Sequence, residues 1–197
     1  MESVKSLFCL ILLGATLTLS SCSDRRTNFT TLNEDGDIVV SDASLAILEG
    51  LMEDYIECKE NETEERECNH FTAEAICRFY EVDDFEQDGE YVSYREIKDI
   101  VTLNGGTWEP IGLADSQENL DAAQNTANNG TATIAFDPTK TNHVAIILPG
   151  STQKSSSWDL DVPNSASFFV HKADGYVNKA LSYSFRSSEG IILYNKK

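Results

Sequence analysis

Leu45, Leu48, Leu51, Met52, Tyr55 and Ile56 recur at three- and four-residue spacing, the period of one helix face, and Ser41 or Asp42 stands where the N-cap belongs. Cys58 falls at the end of this segment. A second helical pattern opens at Cys68 and runs through Phe71, Thr72, Ala75, Ile76 and Phe79 to Tyr80. Ser93-Tyr94-Arg95-Glu96 is a capping box that starts a third helix through about Val101. Asp115-Ser116-Gln117-Glu118 starts a fourth, closed near Asn128 by Asn129-Gly130. From Thr131 the text changes to short apolar runs between turn residues. Strands are predicted over 131–136, 143–148, 158–162, 166–171, 181–185 and 191–194, with a polar loop from Gly150 to Ser157. Helices first, then consecutive strands with short links, predict an α+β fold with an antiparallel sheet.

Two connecting segments are strongly charged. Lys59 to Glu67 reads as a solvated loop, and Glu81 to Glu90 as an acidic turn whose carboxylates match a calcium loop only incompletely. The N-terminus reads differently. Lys5, the apolar stretch from Leu7 to Leu19 and the small residues after it form an export signal, too short to span a bilayer. Leu19-Ser20-Ser21-Cys22 resembles the bacterial lipobox, which makes Cys22 the expected lipidation site. Three regions follow: a lipoprotein signal peptide over 1–21, a polar lipid-anchored tether over 22–38, and a domain over 39–197. The expected location is the bacterial cell envelope, in the periplasm or on the outer membrane, with the membrane touched through the lipid anchor only.

The formal charge is −18. Nucleic acid and anionic membrane surfaces need basic patches, so neither is an expected partner. With Cys9 in the signal and Cys22 acylated, Cys58, Cys68 and Cys77 remain in an oxidising compartment, and an odd number leaves at least one thiol out of a disulfide within the chain. Helix phase points Cys77 away from Cys68, at about 180° around the axis, so a Cys58–Cys77 bridge is the preferred pairing. A Cys58–Cys68 bridge is the rival.

If Cys68 stays reduced, it stands at a helix start, where unpaired N–H groups and the positive end of the dipole favour thiolate. Its base would come from three histidines. His70 points away from Cys68 on the same helix, and His171 sits before a turn at the surface. His143 begins a strand whose small Ala145 shares its face and leaves room for a helix, so His143 is the candidate base. No Cys-x-x-Cys or His-x-x-x-His spacing suggests a metal, and no cofactor is expected.

Cys68-Asn69-His70-Phe71 and Asn142-His143-Val144-Ala145-Ile146-Ile147 together resemble the two motifs of the papain-like cell-wall hydrolases of the NlpC and CHAP type. The resemblance implies helices packed on an antiparallel sheet in the papain-like manner. It also implies a cysteine amidase or peptidase that cuts the peptide part of peptidoglycan through a thioester. Peptidoglycan peptides would then be the partner, with any inhibitor or regulator left unspecified. The third polar residue would be Asn164, with Asp161 and Asp159 as alternatives, and Tyr55 would correspond to an oxyanion helper. A different reading of the same residues is a non-catalytic lipoprotein domain that binds a protein or glycan and carries Cys58–Cys68 as a structural bridge.

Overall fold

A computed structural model describes residues 29–63, 67–139 and 142–197. The signal segment and Cys22 lie outside the described residues. The tether expected over 22–38 ends earlier than its sequence suggests. Strands β1 (Thr30–Leu32) and β2 (Ile38–Val40) form a hairpin. Asn33 Oδ1 accepts the Asp35 and Asp37 N–H groups at 3.0 and 2.8 Å, and Gly36 takes φ +85°, so the polar run is a folded turn. Phe29 anchors it, buried against the rings of Phe79 and Tyr80 at 5.4 and 5.2 Å.

Helix α1 (Asp42–Glu60) starts at the expected cap, with Ser41 Oγ accepting the Ser44 N–H at 3.3 Å. Helix α2 spans Phe71–Tyr80, with His70 at its N-cap position. The acidic turn between α2 and the next helix holds β3 (Glu86–Gln87) and β4 (Glu90–Tyr91), joined through Asp88 and Gly89 at positive φ. The Ser93 capping box is complete and opens α3 (Tyr94–Val101). Strand β5 (Trp108–Leu113) precedes α4 (Gln117–Asn128), which has Ser116 at its N-cap but no capping hydrogen bond from that side chain.

The remaining strands are β6 (Thr133–Asp137), β7 (His143–Ser155), β8 (Leu160–Phe168), β9 (Gly175–Ala180) and β10 (Ile192–Lys196). With β5 they form one six-stranded sheet in the order β5-β10-β6-β7-β8-β9, antiparallel at every pairing. The fold is therefore α+β with helices on an antiparallel sheet. Two cores divide along the sheet. On one face Ile134, Phe136, Val144, Ile146, Ala166 and Phe168 pack with the apolar sides of α1, α2 and α3. On the other, Ala135, Ala145, Ile147 and Leu193 pack with Leu120, Ala123 and Ala127 of α4 and with Phe185.

Strand boundaries depart from expectation in physically specific ways. The polar run after Gly150 continues β7 instead of forming a loop. Gly150 takes φ +145°, and Asn128 clamps it, accepting its N–H at 2.7 Å and donating to its carbonyl at 3.0 Å. At this irregularity the buried Gln124 serves both strands, donating to Leu148 O at 2.9 Å and accepting from Asn164 N at 3.3 Å. Pro163 falls where the β7–β8 register shifts, so its missing N–H interrupts no pairing and two expected strands become the single β8. The run from Leu181 forms a 3-10 turn, Leu181–Tyr183, and the strand lies just before it as β9.

Candidate functional site

Cys58 and Cys68 are bridged, with Cα atoms 5.9 Å apart. This corrects the Cys58–Cys77 pairing, and it removes the Cys68 sulfur from service as a free nucleophile. The reason lies in the connection between the helices. The end of α1 lies beside the entrance of α2, so Cys58 meets Cys68. Cys77 sits about 9 Å farther along the α2 axis than Phe71, at 1.5 Å per residue. A disulfide needs Cα atoms within about 7 Å, which Cys58 and Cys68 meet at 5.9 Å. Cys77 remains a thiol, buried and with its pKa raised to about 11 by desolvation, so it is protonated and inert at neutral pH.

Cys68 also lies outside α2. The helix starts three residues later, and His70 occupies the cap position without a side-chain cap bond. The group that meets the Cys68 N–H is an anion: Glu62 Oε1 accepts it at 3.2 Å. Lys59, hydrogen-bonded to Glu62, holds that carboxyl below its ordinary pKa. A carboxylate at this position opposes thiolate formation, the reverse of the helix-dipole environment expected for Cys68.

His143 opens β7 as expected, but it faces the other way. It shares its face with Ala145 and Ile147, and the helix that exploits this small residue is α4, not α2. Its ring packs on Phe185 at 5.3 Å, edge to face, and stacks on Phe169 at 5.8 Å. Nε2 lies 2.9 Å from Ser167 Oγ. Burial lowers its pKa to about 4, with the nearby Asp137 charge acting in the opposite direction. Cys68 belongs to the core on the opposite sheet face. The thiol and imidazole expected to meet are thus separated by the sheet.

Asn164 stands opposite Leu148, five positions along β7 from His143, or about 17 Å at 3.3 Å per residue. Its side chain accepts a hydrogen bond from Gln153. Asp161 pairs with Lys154, farther still from His143, and Asp159 lies in the β7–β8 turn, ion-paired with Lys154 at 3.1 Å. None of the three orients the imidazole. Tyr55 is committed too, donating to Phe169 O at 2.7 Å, and burial pushes its pKa up.

Two recesses hold the residues the sequence singled out. One, of about 380 Å³, is lined by Lys59, Glu62, Cys68, Asn69, Tyr94, Arg95 and His171 among others, so His171 is the imidazole nearest the disulfide's cleft. The other, of about 230 Å³, takes in His143 together with Asp137, Ser184, Arg186 and Glu189. Asp137 is the residue that sequence reasoning missed. It stands directly across the ladder from His143, a pairing that the short Asp137–Asn142 connection between two strands could have signalled. Among the described residues, no group of three or more His, Cys, Asp or Glu is placed to hold a metal ion, and no helix is long and apolar enough to cross a membrane. Comparison with protein-family models, curated proteins and solved structures finds no match to this chain.

Proposed function

We propose that this chain is a non-catalytic binding domain of the bacterial envelope, carried on a lipid at Cys22, with Cys58–Cys68 as a structural bridge. The observation that supports it is the state of the Cys68 sulfur, bonded to Cys58 at the mouth of a cleft. A thioester mechanism needs that sulfur as a thiolate beside a base. The second fact in its favour is the placement of His143 on the α4 side of the sheet. The ligand falls to the recesses lined by mixed charges, and wall peptides are within reach of a lipid-tethered domain.

A cysteine amidase of peptidoglycan peptides, as the NlpC and CHAP resemblance implies, is the second reading. One observation favours it: His171 lines the same cleft as Cys68, so reduction of the bridge would set a thiol and an imidazole in one cleft. Incubating oxidised and reduced protein with muropeptides separates the two. We expect saturable binding by the oxidised protein and intact muropeptides with either form. Cleavage that requires reduction and disappears in Cys68→Ala would replace the binding reading with the amidase.

A further inference from the structure

We propose that the recess between the outer end of the β7–β8 ribbon and the 3-10 turn at 181–183 binds an uncharged saccharide, with the Tyr183 ring as the platform for its apolar face. The inference goes beyond the binding reading above. This recess shares no lining residue with the two that hold Cys68 and His143, and every residue that lines it is described.

The recess arises from unequal strand lengths. Strand β9 ends at Ala180, opposite Asn164, while β7 and β8 go on pairing past that point, Gln153 with Val162, Lys154 with Asp161 and Ser155 with Leu160. The ribbon therefore overhangs the end of β9. Leu181 pins the turn that follows, fully buried in the core on the α4 side, and Ser182 and Tyr183 are left to face the ribbon across an open space. Gln153, Ser156 and Ser157 line its other side. Its volume of about 430 Å³ falls within the roughly 300–1,000 Å³ of small-molecule sites.

Tyr183 is 65% exposed, more than any other large apolar side chain among the described residues. A single exposed ring is ordinary on a protein surface. This one is held in place, because the Tyr176 ring meets it at 5.8 Å and 63° and the Lys179 ammonium lies 5.1 Å from its centroid. The polar side is ordered as well. Ser155 is buried, its Oγ accepts the Trp158 N–H at 3.3 Å, and it lies 3.1 Å from Ser157 Oγ, which fixes that hydroxyl at the edge of the recess. Ser156, Ser157 and Ser182 each bring a group that can both donate and accept. A pyranose presents the matching pair of surfaces, an apolar C–H face for the ring and a rim of hydroxyls for the serines.

Charge selects against ionic ligands. Among the described residues no carboxylate lines the recess, so nothing there would hold a cation. Lys154 does line it, but its ammonium is paired with Asp159, 3.1 Å from the carboxylate and 2.9 Å from the carbonyl oxygen. At longer range the net charge of −18 repels anions. A neutral ligand rich in hydroxyls remains.

The test titrates the intact chain at pH 7 with cellotriose, maltotriose and chitotriose and follows backbone amide resonances by NMR. Mannitol serves as a polyol with hydroxyls but no rigid C–H face. At least one trisaccharide is expected to shift the amides of Ser157, Ser182 and Tyr183 saturably, and mannitol to leave them in place. Tyr183→Ala should weaken that binding roughly tenfold with the melting temperature unchanged, whereas Tyr183→Phe should keep it, because the platform needs the ring and not its hydroxyl. No saturable shift with any trisaccharide, equal shifts with mannitol, or unaltered affinity in Tyr183→Ala overturns the proposal. Saturable shifts confined to the recesses of Cys68 or His143 overturn it too, and leave the binding reading standing.

Discussion

Replacing Cys58 and Cys68 together by alanine is expected to lower the stability of the folded domain by about 3 kcal/mol. The bridge spans ten positions, and closing a loop of that size removes unfolded-state entropy worth about that much. For a domain of this length the melting temperature should fall by about 6–12 °C. The loss has a structural counterpart, because the bridge fixes the end of α1 to the entrance of α2, where Glu62 accepts the Cys68 N–H. Urea unfolding of the oxidised protein beside the double variant measures it. A midpoint that does not move would mean that the bridge contributes nothing. Changing both residues avoids a stray thiol that could exchange with other chains.

The second large effect is a loss of stability in mild acid. His143 is buried and neutral, its pKa lowered from 6.5 to about 4 by desolvation, with Asp137 pulling weakly the other way and His171 adding to the shift. Because the folded-state value lies below the unfolded one, the unfolded chain takes up the proton first. Stability that is fully present above about pH 6.5 is therefore lost as the pH falls toward 4, by about 3 kcal/mol in all. Carboxylates held low by lysine neighbours, such as Glu62 by Lys59 and Asp174 by Lys172, lose their contributions only further down, below the ordinary carboxylate range. His143→Gln should flatten the upper part of the profile and leave the lower part in place. An unchanged slope between pH 6.5 and 4 in that variant would show that the imidazole is not the group responsible.

Local chemistry made the helices legible and left the sheet and the site only partly so. Ser41 and the Ser93–Glu96 pair carry their capping bonds within a few residues, so α1 and α3 appear where their caps say. Strand β5 escaped notice because Pro110 and Gly112 break its apolar run, yet it is an edge strand, where a missing N–H costs no ladder bond. Pro163 misled in the same way inside β8, where a register shift in β7 accommodates it. The alternation along β7 correctly placed His143 with Ala145 and Ile147. What alternation lacks is the identity of the helix that covers each face, a property of topology: α2 reaches the Val144 side and α4 the Ala145 side. Helix phase treated Cys68 and Cys77 as members of one helix, but α2 begins only at Phe71, so Cys68 has no place on its face. It ignored distance along the axis, which decides the partner of Cys58.

Cysteine mapping of the native, unreduced protein bears most directly on the account. Alkylation before unfolding should label none of Cys58, Cys68 and Cys77, and alkylation after unfolding without reductant should label Cys77 alone. Non-reducing digestion should then yield one peptide pair, joined through Cys58 and Cys68. Rapid labelling of Cys68 in the folded protein, with a peptide pair joined through Cys58 and Cys77, would contradict the account and restore the free nucleophile.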